Sequence, residues 1–244
     1  MTKSNWSRGN LLTIENAKTV KGESLGYLTG ILYLAPADES VAYGGKNMCP
    51  LASTGCAAAC LFSAGRGRFE KVRQARIAKT LHFLNNREQF FADLRKSIVR
   101  VVKMARRLNL TPAIRLNGTS DVAWEKIAPE LFSEFSDVIF YDYSKLWKRV
   151  LDFANGLIPA NYHLTFSRSE SNAEHVALVA ENSNANVAVV FATSDLPAQY
   201  MGREVVNGDL HDLRFLDKRG VVVGLKAKGK AKKDESGFVV TVTA

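Results

Sequence analysis

The sequence predicts an α/β fold, built as a partial β/α barrel or a parallel sheet with a C-terminal β extension. Three observations carry that reading. Short β-prone runs alternate with helical periodicity from Pro112 to about Leu196. An apolar run at Leu25–Pro36 supplies a strand ahead of them. After Leu196 only short β-prone runs remain, around a lysine-rich turn.

The first strand is expected over Tyr27–Ala35, where LGYLTGILYLAP ends at a proline. Residues 37–67 read as a loop, punctuated by Gly44-Gly45, Pro50 and Gly55. Two long helices follow, over Arg68–Leu84 and Arg87–Leu108. Ile77, Leu81 and Leu84 mark one face of the first. Phe91, Leu94, Ile98, Val101, Ala105 and Leu108 form the apolar stripe of the second, with Lys96, Arg100, Lys103 and Arg107 opposite. Further strands are expected near Ala113–Leu116, Val138–Tyr143, Tyr162–Phe166 and Val187–Ala192. Helices are expected near Trp124–Phe135, Lys145–Ala154 and Asn172–Glu181. Short strands near Gly220–Gly224 and Phe238–Val242 close the pattern. The organisation is one α/β domain over 1–244: an N-terminal extension (1–24), a β/α core (25–196) and a C-terminal β extension (197–244).

The 244 residues are 46% hydrophobic and 23% charged, an ordinary globular mixture. No apolar run is long enough to cross a bilayer, and Met1–Thr13 lacks the apolar core of a signal peptide. The expectation is a cytoplasmic protein with no membrane partner. The formal net charge is +9. It is concentrated in Arg66–Arg107, where 13 basic and 3 acidic residues give +10.

All three cysteines lie in one window, as Cys49-x6-Cys56-x3-Cys60. An odd, clustered set in an intracellular chain points to a metal or cluster rather than a disulfide framework. Thiolates suit zinc or iron–sulfur clusters. Structural zinc wants four protein ligands, so the count of three favours a [4Fe–4S] cluster with one open iron. The plain alternative is three unrelated cysteines packed beside Ala57-Ala58-Ala59.

Each later strand ends in polar residues, where parallel α/β folds gather their sites. Asn117, Asp121, Asp142 and Arg168 are the residues expected to exceed helix capping, the ordinary task of such clusters. Arg168 could clamp a carboxylate or phosphate. Glu170 follows in the same segment.

Two basic clusters define another candidate surface. Arg66, Arg68, Arg73 and Arg76 follow the cysteine loop, and Phe69, Arg73, Arg76 and Thr80 share one helical face. Lys226, Lys228 and Lys230 alternate, as on one face of an extended strand, and Lys232 and Lys233 follow. Both could bind a phosphate backbone, and both could equally be solvated surface. The chain has no Walker loop, Rossmann fingerprint or HExxH motif.

The strand, three-cysteine loop and β/α units resemble the radical S-adenosylmethionine (SAM) superfamily, whose three cysteines hold a [4Fe–4S] cluster that chelates SAM. This chain departs from the superfamily's C-x3-C-x2-C spacing. Ala59 stands where an aromatic usually precedes the last cysteine, and Asn117-Gly118-Thr119 replaces a Gly-Gly-Glu segment. Nearly the whole chain resembles the phage "gene 88 protein" family. That likeness rests on LGYLTGILYLAPA (Leu25–Ala37), CPLASTGCAAACLFSAGRG (Cys49–Gly67), RLNGTSDVAWE (Arg115–Glu125), NYHLTFSRSE (Asn161–Glu170) and GLKAKGKAKKDESGFVV (Gly224–Val240). It implies a phage-encoded protein and a shared site, with no reaction attached.

The expected protein is therefore a phage iron–sulfur protein in the host cytoplasm. Cys49, Cys56 and Cys60 are its metal ligands. Asp121, Asp142, Arg168 and Glu170 are catalytic candidates, and Asn117 and Arg168 cofactor-binding candidates. If it is an enzyme, SAM cleavage and Lewis-acid activation at the open iron are the two chemistries. Its partners would be an anionic small molecule or a redox partner. The alternative is a nucleic-acid-binding protein whose cluster or zinc only stabilises the cysteine loop.

Overall fold

The structure is a computed structural model and describes residues 10–14, 19–60, 62 and 65–242; the side chains at 19, 65 and 66 lie outside that description. The chain divides into two compact units. The first comprises Met1–Pro50 and Gly65–Phe140, and the second Leu51–Ala64 and Tyr141–Ala244.

The first unit begins with β1 (Leu12–Thr13), α1 (Thr19–Glu23) and β2 (Tyr27–Leu32). After the loop come α3 (Glu70–Asn85), α4 (Arg87–Arg107) and β3 (Thr111–Arg115). α5 (Trp124–Ile127), α6 (Glu130–Glu134) and the start of β4 (Ile139–Ser144) complete it. β1 is antiparallel to β2, while β2–β3 and β3–β4 are parallel. The strands are apolar over most of their length because a parallel sheet is covered on both faces.

The second unit contains α2 (Thr54–Ala58), α7 (Trp147–Ala154), β5 (Tyr162–Ser167), α8 (Ala173–Asn182) and β6 (Val187–Phe191). It ends with β7 (Gln199–Tyr200), β8 (Arg203–Asn207), β9 (Val222–Lys226) and β10 (Val239–Val240). β9 pairs with all of β6 along one edge. The other edge is shared. β5 pairs with Val187 and Ala188, and β10 with Val190 and Phe191. β10 therefore starts where β5 leaves off.

The ten strands follow the order β1-β2-β3-β4-β5-β6-β9-β8-β7, with β10 on β6. The sheet is mostly parallel and does not close, so the open sheet, and not the partial barrel, is the form observed. The unit boundary falls within β4.

The expected elements appear with shifted ends and four informative differences. The helix expected over Trp124–Phe135 is split into α5 and α6. Pro129 follows the break; it lacks an N–H and forces Ala128 out of helical geometry, to φ −152° and ψ 58°. The stripe of α4 runs through Phe90, Leu94, Ile98, Val101 and Ala105, while Leu108 caps the helix and is exposed. Lys96, Arg100, Lys103 and Arg107 are solvated, as expected. The loop over 37–67 contains α2 and a 3-10 turn at Val41–Tyr43. Lys226, Lys228 and Lys230 do not share a strand, because β9 ends at Lys226 and Gly229–Lys233 forms a 3-10 turn around buried Ala231.

α3 also buries more than Ile77. Arg76, Lys79, Thr80 and His82 are buried with it. Lys79 Nζ donates to the Leu11 carbonyl at 2.7 Å, and Ser97 Oγ accepts from Leu11 N at 2.9 Å. Side chains of α3 and α4 thus complete the backbone bonds beside the two-residue strand β1. Burial, with help from Arg76, lowers the Lys79 ammonium to about 8.

The sign of the resulting pH dependence is fixed. Between about pH 8 and 10.5 the unfolded chain holds the Lys79 proton and the folded chain does not. Stability therefore rises with pH across that window, by about 3 kcal/mol. Urea unfolding of the wild type and Lys79→Met at both ends of the window checks this. An unchanged difference between the two proteins would sink it.

Candidate functional site

The cysteine loop is divided between the units: Cys49 lies in the first, and Cys56 and Cys60 in the second. All three are half-buried and none forms a disulfide.

In the first unit, Cys49 Sγ donates to the Thr119 carbonyl at 3.4 Å. Asn47 Oδ1 accepts from Cys49 N at 2.7 Å. The loop Asn117–Asp121 is strapped to the chain after β2. Gly118 N donates to Leu32 O, Thr119 Oγ1 to Leu34 O and Asp121 N to Met48 O. A Cβ on Gly118 would come within 2.7 Å of the Leu32 carbonyl, so this approach requires glycine. Asn117 is buried and folds the loop. Its Oδ1 accepts from Ser120 Oγ, Val122 N and Trp124 Nε1, and its Nδ2 donates to Val122 O. Asp121 is half-buried beside it.

In the second unit, Cys56 sits on the five-residue helix α2. Ser53 is the N-cap and its Oγ accepts from Cys56 N at 3.2 Å. The same hydroxyl donates to Glu170 Oε2 at 2.7 Å, and Gly55 N donates to Glu170 Oε1 at 2.7 Å. Glu170 lies just past the end of β5, so a strand-end carboxylate clasps the cysteine helix. Burial pushes the Glu170 carboxyl up, but the Ser53 hydroxyl, its own N–H and the Gly55 N–H outweigh it and leave the group below the usual range. Cys56 also packs against Ala59, Ala227, Ala231 and Phe238.

Arg168 is tied to the backbone ahead of β10. Its Nη1 donates to the Gly237 and Phe238 carbonyls at 2.6 and 2.8 Å, holding the entry to β10. Asp142 is fully buried, where Oδ2 accepts from Tyr162 OH at 2.7 Å and Tyr162 OH accepts from Arg149. The structure therefore brings Glu170 to the cysteine helix, Arg168 to β10, and Asp142 to an interior network.

The basic candidates divide between engaged and exposed side chains. Arg73 Nε pairs with Glu39 Oε2 at 2.8 Å, which raises the Arg73 guanidinium further. Arg76 is buried with its guanidinium 4.8 Å from the Tyr33 ring centroid. Arg68 is exposed beside the Phe69 ring. The Arg66 side chain lies outside the described residues. Lys228 pairs with Asp209, and Lys226 and Lys230 are exposed.

Sequence reasoning missed Ser53, Gly55 and Thr119. Ser53 was findable: serine three residues before a helical Cys56 is N-cap spacing. Gly55 and Thr119 owe their roles to distant segments. Among the described residues, no three His, Cys, Asp or Glu side chains stand together as a metal-holding group. No described helix is long and apolar enough to cross a membrane.

These features define an α/β protein with an open, mostly parallel sheet and a clasped three-cysteine loop. The chain belongs to the gene product 88 family, whose model matches residues 6–242. No curated protein and no solved structure matches it.

The contact at Gly55 is testable. An added Cβ would lie 2.0 Å from Ser236 Oγ, 2.8 Å from Glu170 Oε1 and 2.9 Å from Phe238 Cβ. Gly55→Ala should destabilise the chain by roughly 1–3 kcal/mol through overpacking. Denaturant unfolding reads the loss, and wild-type stability would contradict the packing.

Proposed function

We propose that the chain is a phage iron–sulfur protein acting in the host cytoplasm, with Cys49, Cys56 and Cys60 as the ligands of one [4Fe–4S] cluster. The observation that carries this reading is the state of the thiols. Three half-buried cysteines without a disulfide share one loop, and the Cys56 end of that loop is fixed by Ser53, Gly55 and Glu170. Soft thiolates fit iron and sulfide by donor chemistry. Their chelating arrangement is part of the proposal, since the described side chains do not form a ready metal-holding group.

When bound, such a cluster supplies a Lewis-acid or one-electron centre at the iron that lacks a cysteine. Its partner there would be a small molecule bearing an anionic group, with SAM, which carries a carboxylate, one candidate. The chain's own residues then have defined tasks. Ser53 and Glu170 hold the Cys56 turn. The Cys49 thiol, now donating to Thr119 O, would release its proton on ligation, because metal binding takes the thiolate, and Thr119 O would lose that donor. The loop's place after β2, the first of the consecutive parallel strands, supports a site at the carboxyl side of the sheet.

Anaerobic purification tests the reading. The expected yield is about four irons and four sulfides per chain, lost in Cys56→Ser. Adding SAM should alter the spectrum if SAM is the ligand. One zinc without sulfide would overturn the cluster assignment.

A further inference from the structure

We infer that Glu170 is the positioning residue of the cysteine loop, fixing the Cys56 turn through Ser53 and Gly55 and thereby setting how firmly the loop holds metal. The second half of this inference rests on the iron–sulfur reading; the first half stands on the geometry alone.

A five-residue helix cannot hold itself. Its first amides have no intrahelical partner, and so short a segment is unstable in isolation. In α2 two of those amides are satisfied by one linked device. Cys56 N–H bonds to Ser53 Oγ, and Gly55 N–H bonds to Glu170 Oε1. The Ser53 proton goes to the other Glu170 oxygen, which fixes the hydroxyl so that its lone pair faces Cys56. The carboxylate comes from 115 residues further along the chain. It is an N-terminal cap supplied by another strand's end, so it ties the cysteine turn to the sheet rather than to its own loop.

Glu170 is itself firmly placed. Arg168 N donates to Ala188 O, and the Arg168 guanidinium holds Gly237 and Phe238. Ser169 N donates to Asn172 Oδ1, whose amide donates back to Ser167 O. Residues on either side of Glu170 are thus pinned to β6, β10 and the start of α8. Ser236, Phe238 and the Glu170 carboxylate all close on the Cα of Gly55, so a side chain at 55 would press on all three.

This arrangement argues against a general-acid role. Both carboxylate oxygens accept hydrogen bonds, and those bonds favour the ionised form. A general acid needs a proton to give near neutral pH. Glu170 acts instead through Ser53 and the backbone on Cys56.

The test compares wild type, Glu170→Ala, Glu170→Gln and Ser53→Ala. Alkylation of Cys56 is followed in the metal-free chain, and iron and sulfide are followed after anaerobic reconstitution. Removing the carboxylate should speed Cys56 alkylation about tenfold, the equivalent of about 1.4 kcal/mol. It should weaken iron retention by a similar factor. Glu170→Gln keeps an acceptor for Gly55 N–H and should recover part of both effects. If Glu170→Ala does not fold, Ser53→Ala removes one arm only and should still accelerate alkylation. Wild-type alkylation rates in the folded variants would overturn the inference. Iron retention unchanged in Glu170→Ala, with wild type loaded, would overturn its second half. Faster alkylation in a protein whose wild type takes up no iron would retain the positioning role and remove the cluster reading alone.

Discussion

A helix of five residues leaves more backbone donors unsatisfied than it satisfies, and the second unit is arranged around meeting that need for α2. The carboxylate that meets it must be ionised, half-buried and correctly aimed. Ionisation is secured by three hydrogen bonds that outweigh burial and the nearby Asp234 charge. Aim is secured by ending β5 at Ser167, so that Glu170 leaves the sheet toward α2. Ending β5 there also frees the far half of the β6 edge, and β10 takes it. The two consequences are coupled through Arg168, which spans from Ala188 on β6 to the carbonyls at the start of β10.

The approach to β10 is built by the same logic. Asp234 accepts from Ser236 Oγ at 2.6 Å and from Val239 N at 2.9 Å, and these and further backbone bonds hold its carboxyl below the usual range against the effect of burial. That turn delivers Phe238 to the apolar cluster with Ala59, Ala227 and Ala231, beside Cys56. The lysine-rich segment thus has an inward apolar side. Ala231 is its buried point, and the lysines around it are exposed.

The parts legible in the sequence were those written in local pattern. β6 reads as a strand because VAVVF is apolar throughout, as a strand covered on both faces must be. α4 reads as a helix because its apolar residues repeat at helical spacing, although Phe90 rather than Phe91 proved to be the buried ring. Pro129 carried a break that the longer helical pattern masked. The cysteines stood out by clustering alone. What could not be read was long-range. Nothing local to Glu170 announces that its oxygens belong to Ser53 and Gly55. Asn117 is a nearer case: its oxygen serves Ser120, Val122 and Trp124, all within seven residues, yet only the folded turn brings the three donors together. Strand-end polar residues look alike in sequence, whether they face a ligand or fold a loop, because both tasks need the same donors and acceptors.

Charge gives the sharpest case of this ambiguity. The basic excess of Arg66–Arg107 suggests a surface for polyanions, yet the packing divides it. Arg73 is paired with Glu39, Arg76 covers Tyr33, Lys79 is bonded to the Leu11 carbonyl, and Arg95 pairs with Glu134 at 2.6 Å. Each of these has an internal partner, and a polyanion would have to compete with it. The α4 lysines and arginines opposite the apolar stripe stay in water, where salt screens them. On α3, much of the basic charge thus holds the helix against the segments around it. Lys79 shows the energetic cost: burial lowers its pKa, and the side chain is kept indoors where its Nζ meets the Leu11 carbonyl beside β1.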